Sequence, residues 1–215
     1  MKKIFFSVVL VVLSAALFAQ EKEEEEEKGF KKENLFTGGS VTLSFFNGST
    51  ILGANPIFGY KLANFVDAGV VVNFISTSQR DYLEFDDKVK QTVYGGGVFT
   101  RLYPVNFLFL QGQFEHNFIK LKYTPAPAST SYLPYKETID VNSFLVGGGY
   151  CQGRQTGSNT FYYVAILFDV IKNENSPYVN VAVDPNTGRT SVRAQPLIRA
   201  GFNIGLFEGG GRRRR

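Results

Sequence analysis

The chain has 215 residues, 44% hydrophobic and 15% aromatic, a length that suits a single domain. Its one cysteine excludes an intramolecular disulfide and a cysteine-based metal or redox motif, and its one histidine excludes a histidine-cluster metal site. The formal charge of +4 does not point to a nucleic-acid partner: Lys2, Lys3 and Arg212 to Arg215 lie at the termini, and residues 35–207 carry 13 Lys plus Arg against 11 Asp plus Glu.

Met1-Lys2-Lys3, the apolar run from Ile4 to Phe18 and the small-residue box Leu17-Phe18-Ala19 predict a secretory signal peptide over residues 1–19. The run is short for a bilayer-spanning helix, and acid rather than a basic stop follows it. No cysteine lies near the cut, which argues against a lipoprotein anchor. Residues 20–34 hold Glu23 to Glu27 unbroken among lysines and predict a solvated, disordered acidic leader, since a run of like charge repels itself. Residues 208–215 form a Gly/Arg tail, read as solvated chain able at most to touch polyanions or anionic lipid.

From Leu35 onward, period-2 alternation and turn residues predict eight strands. They cover Gly39 to Phe46, Ile57 to Leu62, Asp67 to Ile75, Thr92 to Tyr103, Phe107 to Phe118, Asp140 to Cys151, Thr160 to Lys172 and Pro196 to Phe207. The fifth is the clearest. Leu108, Leu110, Gly112, Phe114, His116 and Phe118 share one face, while Gln111, Gln113, Glu115 and Asn117 share the other. It is about as long as a tilted membrane-crossing strand, roughly 9 to 11 residues.

Alternate joins are tight, at Ala63 to Val66, Pro104 to Asn106 and Gln152 to Asn159. The others are mostly long, at Ser76 to Gln91, Lys122 to Ile139 and Asn173 to Gln195, with Asn47 to Asn55 the shortest. Short turns on one rim and long loops on the other predict an all-β, eight-stranded antiparallel up-and-down transmembrane β-barrel over 35–207. An even strand number puts both termini in the periplasm.

Alternation assigns an inward set of Lys61, Asn73, Arg101, Gln111, Gln113, Glu115, Asp169, Arg199 and Asn203. Isolated charges in so narrow an interior are costly, so a lumenal network is expected in which Glu115 and Asp169 are shared among Lys61, Arg101 and Arg199. Eight strands leave an interior that side chains fill, which favours a plug over a pore. Inward glycines such as Gly95, Gly97, Gly147 and Gly149 serve lumenal packing and strand bending; neither Gly triplet precedes a helix or a Lys-Ser/Thr, so neither is a phosphate loop. Aromatics near strand ends, including Phe58, Tyr60, Phe74, Tyr94, Tyr103, Phe107, Tyr123, Tyr150, Phe161, Tyr162 and Phe207, suit interfacial girdles. His116 falls on the outer face between Phe114 and Phe118, without the serine a lipid-cleaving site needs, and Glu84, Asp86 and Asp87 read as a solvated acidic loop rather than a calcium site.

Leu17-Phe18-Ala19-Gln20, Phe58-Gly59-Tyr60-Lys61-Leu62 leading into Ala68-Gly69-Val70, and Gly97-Val98-Phe99-Thr100-Arg101-Leu102-Tyr103 resemble the small outer-membrane β-barrel proteins of Bacteroidetes-type bacteria, and more broadly barrels of OmpA and OmpX type. The last strand resembles the assembly signal of such barrels, at Arg199, Gly201, Ile204 and Leu206. Two departures stand out: Phe207 is followed by Glu208 and the Gly/Arg tail, and no peptidoglycan-binding domain follows. The resemblance implies a non-enzymatic, monomeric Gram-negative outer-membrane protein without cofactor, whose partners are membrane lipid and the barrel-assembly machinery, with an unidentified ligand at the loops. An outer-membrane lipid-modifying enzyme and a soluble lipocalin-like lipid carrier are the alternatives; the second requires an apolar lumen and a polar exterior.

Overall fold

The computed structural model describes residues 30–46, 49–127, 129–155, 158–184 and 187–207; the expected signal peptide, most of the acidic leader and the Gly/Arg tail lie outside them. A short 3₁₀ turn, Lys32–Asn34, leads into β1, Leu35–Phe46. There follow β2, Ser49–Ala63, β3, Val66–Arg80, β4, Lys88–Val105, β5, Leu108–Thr124, β6, Tyr135–Gln152, and β7, Phe161–Asp169. Two short strands, β8, Val179–Val183, and β9, Thr190–Ala194, precede β10, Leu197–Gly205.

Eight of these close on themselves in the order β1-β10-β7-β6-β5-β4-β3-β2, every neighbour antiparallel, while β8 and β9 form a separate hairpin. The eight-stranded antiparallel up-and-down barrel is therefore the fold. Closure leaves the body of the barrel without an edge strand to template aggregation. The seam is made by β1 and β10, in register from Phe36 opposite Gly205 to Val41 opposite Ala200.

Two expectations change. The joins Ser76 to Gln91 and Lys122 to Ile139 are not long loops: β3, β4, β5 and β6 run on as tall hairpins, leaving connections only at 81–87 and 125–134. Their alternation continues, with Val89, Ile119 and Tyr123 buried on the inner face, but the outer face carries Lys88, Lys90, Lys120 and Lys122 in place of large apolar residues. The join Asn173 to Gln195 contains β8 and β9, five residues each and too short to stand out by periodicity. Meanwhile β7 ends at Asp169, so the wall is low there and tall across β3 to β6.

Inward glycines sit where neighbouring backbone crowds in. A Cβ on Gly97 would meet the Phe114 carbonyl oxygen at 1.9 Å, and one on Gly147 the Ile166 oxygen at 1.9 Å. The sheet coils too tightly there for any side chain. Gly147→Ala is expected to cost about 1 to 3 kcal/mol as an overpacking strain, read as a lowered urea midpoint of the barrel folded in detergent micelles; an unchanged midpoint would show that the wall relaxes freely.

Candidate functional site

Within the described residues, the barrel interior is layered. Near the short-turn rim, Tyr103, Phe109, Phe161 and Tyr163 pack with Cys151 and Ala165. Towards the tall rim, Ile75, Val93, Ile119, Val141, Leu145, Leu167 and Tyr178 form an aliphatic layer. Between them lies a polar belt. The polar inward set expected from alternation is bounded by apolar layers: β5 alone runs Phe109, then Gln111, Gln113, Glu115 and Asn117, then Ile119, all buried. Tyr103, Tyr123 and Phe161, expected in a girdle, also point inward at 4%, 1% and 3% exposure, because each falls on the inward parity of its strand.

The belt is built from cross-strand register. One row runs Lys61 opposite Asp67, Asp67 opposite Arg101, and Arg101 opposite Gln111. Arg101 donates through Nε to Gln111 Oε1 at 2.9 Å and through Nη1 to Asn203 Oδ1 at 3.2 Å. Its guanidinium also lies 4.3 Å from the Tyr163 ring centroid, with Phe99 and Phe109 near 5 Å. Arg suits this setting, since its flat, weakly hydrated cation stacks where an ammonium would not.

Above that row Glu115 has no exposure and accepts four hydrogen bonds. Oε1 takes Arg199 Nη2 at 3.0 Å and the Gln113 amide; Oε2 takes Asn117 Nδ2 at 2.8 Å and the Tyr178 hydroxyl at 2.7 Å. Arg199 also donates to Gln113 Oε1 at 3.2 Å, the acceptor that Gln111 uses at 2.7 Å. An asparagine relay continues sideways, from Asn55 to Asn73 at 2.9 Å and from Asn73 to Asn117 at 3.2 Å. The relay spans β4 because Gly95 lies between Asn73 and Asn117 in register; a Cβ there would strike Asn117 Oδ1 at 2.4 Å. A cavity beside Arg199, Asn55 and Ser40 is about 10 Å³, room for about one water.

All nine inward candidates are buried, but they do not form the expected arrangement. Glu115 and Arg199 pair directly. Asp169 stands apart at the end of β7, where Oδ1 accepts the Phe144 and Ile171 amides and Oδ2 accepts the Ser176 hydroxyl at 2.6 Å. It anchors the turn into the 170–196 segment instead of balancing a cation. Lys61 and Arg101 flank Asp67, which the inward set lacked. Asp67 shares inward parity with Asn73, so alternation could have found it; its place at a strand start hid it. Asn55 lay within an expected loop, and Tyr178 within one expected to be mobile. In β10, Arg199 and Gly201 face in, while Ile204 and, just beyond the strand, Leu206 face out.

Outside, His116 Nδ1 lies 2.8 Å from Asn142 Oδ1, and its ring packs edge-on against Phe118 at 4.9 Å. The acidic loop at 81–87 is a clasp. Asp87 accepts the amides of Tyr82, Leu83 and Glu84 at 2.5 to 3.0 Å and the Tyr123 hydroxyl at 3.0 Å, while Asp81 and Asp86 take left-handed backbone. Burial alone would raise the Asp87 carboxyl, but the three amides and Tyr123 hold it below the usual range. Burial, with Asp87 beside it, pushes the Tyr123 hydroxyl up to about 12.

No protein-family model matches this chain, and no curated protein matches it in sequence. Among solved structures, the chain is similar to Ail, the attachment invasion locus protein of Yersinia pestis, crystallised with the heparin analogue sucrose octasulfate. Identity is 12% and the TM-score 0.42, over 79% of this chain and 94% of that one.

Two predictions concern these groups. Arg199→Ala leaves Glu115 buried without its cation and is expected to destabilise the barrel by about 3 to 5 kcal/mol in urea titrations, whereas Glu115→Leu combined with Arg199→Leu costs far less. For the clasp, a carboxyl held low in the folded state stabilises fully above its ordinary value of 3.8 and loses that contribution as pH falls through the folded value. Amide protection at Tyr82, Leu83 and Glu84, corrected for intrinsic exchange, is expected to persist at neutral pH and to be lost only once acid takes the pH below the usual carboxylate range; protection that ignores pH counts against the clasp.

Proposed function

We propose that this chain is an integral outer-membrane β-barrel whose interior is closed by its own side chains, with a non-enzymatic structural or surface-interaction role exerted through its tall-rim hairpins and loops. The observation that carries this reading is the exterior. Val70, Val72, Phe74, Val98, Leu110, Phe114, Phe144, Val146, Val164, Ile166, Phe168, Ile198, Phe202 and Ile204 all stand on the outer wall and are 39% to 60% exposed. A water-soluble barrel of this size does not surround itself with such a belt. On β5 the apolar stretch from Leu108 to Phe118 rises about 26 Å at the usual strand tilt, close to the roughly 25 Å apolar band of outer-membrane barrels. A lipocalin-like carrier needs the opposite arrangement, an apolar interior, whereas the middle of this barrel is a charged belt whose void beside Arg199 and Asn55 is about 10 Å³.

In this reading the short turns are periplasmic and the hairpins β1–β2, β3–β4, β5–β6 and the β8–β9 segment face outward from the cell. Arg199, Gly201, Ile204 and Leu206 serve as the recognition strand for assembly machinery. Binding, where it occurs, belongs to the hairpin tips, because the lumen is filled and the wall is committed to lipid.

Fractionation of expressing cells, followed by gels with and without boiling, tests the reading. Recovery in the outer membrane with a heat-dependent mobility shift is expected, together with no stepwise conductance in planar bilayers. Recovery in the soluble periplasm overturns the membrane assignment, and steady channel openings overturn the closed lumen.

A further inference from the structure

Above the apolar belt, the outer faces of β4, β5 and β6 change chemistry abruptly. On β5, Phe114 and Phe118 give way to Lys120 and Lys122, both exposed. Register sets Lys90 beside Lys122 and Lys122 beside Lys136, one row across three strands, and puts Lys88 beside Arg80 in the row above. Neighbouring strands lie only about 4.8 Å apart, and like charges directly opposite weaken a sheet. None of these six cations makes an ion pair among the described residues. The nearby carboxylates do not neutralise the row. Asp140 sits lower on the outer face of β6, opposite Phe118, Glu137 falls on the alternate face opposite Leu121, and Asp87 is engaged by its own loop. Such a row is a structural cost that an anionic partner would relieve.

A groove lies directly below. Gly96 is the outward residue of β4 between Val72 and His116 in register, and it forms part of the floor of an open groove of about 460 Å³ bordered by Phe74, Tyr94 and Phe118. Tyr94 stacks on Phe118 at 5.6 Å, and Lys120 Nζ stands 5.0 Å from the Tyr94 ring centroid. The lowest cation of the cluster therefore overhangs the upper wall of an apolar slot.

We propose that this face holds a phosphorylated membrane lipid, its anionic headgroup on Lys90, Lys120, Lys122 and Lys136 and one acyl chain in the groove at Gly96. The proposal rests on the membrane reading above. Charge complementarity names the headgroup, and the apolar slot continuous with the lysines selects a lipid over a soluble polyanion.

The test uses the full chain refolded in neutral detergent and exposed to diphosphoryl lipid A or to its dephosphorylated form, with retained lipid read by native mass spectrometry. Wild type is expected to favour the phosphorylated form. K90Q/K122Q/K136Q should weaken retention by roughly a hundredfold, at about 1 kcal/mol for each lysine near an anionic surface. Gly96→Leu, which fills the slot and leaves the lysines in place, should weaken retention of both forms. Heat-dependent gel mobility on the same samples separates the two levels. A wild-type chain that shows no shift overturns the membrane reading and this site together; variants that shift normally yet hold lipid as wild type does overturn the site alone.

Discussion

A carboxylate without solvent contact, in the middle of a closed barrel, must find every partner inside the wall. Glu115 does so with donors from three separate parts of the chain: Gln113 and Asn117 on its own strand, Arg199 on β10 and Tyr178 in the segment before β8. Desolvation makes the charge expensive, and only the complete set of bonds offsets it. Barrel closure and folding of the 170–196 segment are thereby tied to one group. The β1–β10 seam brings Arg199 into place, and Asp169 holds Ser176 so that Tyr178 can reach down two residues later. The low wall at β7 is what lets that segment fold inward.

The apolar layers on either side complete the logic. Arg101 is fully buried at the lower edge of the belt, with aromatic faces on three sides and amide oxygens from Gln111 and Asn203 at its ends. Ile119, Leu145 and Leu167 seal the upper edge. Sandwiched between layers that exclude water, each hydrogen bond in the belt acts in a low dielectric, which strengthens satisfied groups and penalises orphans. Gly95 shows how closely backbone and network are matched: the relay from Asn73 to Asn117 crosses β4 only because that position has no side chain.

Strand number, strand polarity and the outward apolar residues were legible in the sequence, because period-2 alternation over ten residues at a time is a strong signal. His116 and Phe114 on one face and Glu115 on the other needed nothing more than parity. What alternation cannot supply is the partner of each inward group. Asp169 and Glu115 look equivalent in sequence, yet one meets backbone amides at a strand end and the other a guanidinium across the lumen, a difference set by shear and wall height. Tyr178 was hidden for a related reason: a tertiary contact overrides the polar, Pro-containing composition around it. Hairpin extensions such as Lys88 to Gln91 were read as loop because their outer face carries lysine in place of apolar residues, although Val89 is buried on the inner face.

The outer wall obeys a different constraint from the inner one, and the two share each strand. Inside, charges are few and compensated; on the upper outer face, Lys90, Lys122 and Lys136 are aligned with no acid in their row. Register leaves no freedom to hide this, since shifting β5 by one residue would turn Glu115 outward and Phe114 into the belt. The same parity that buries Glu115 against Arg199 therefore also presents the lysines side by side, above the groove at Gly96. A sheet that tolerates such a row is stable enough from its interior to spend local energy on its surface, and on this barrel that surface begins where the apolar belt ends.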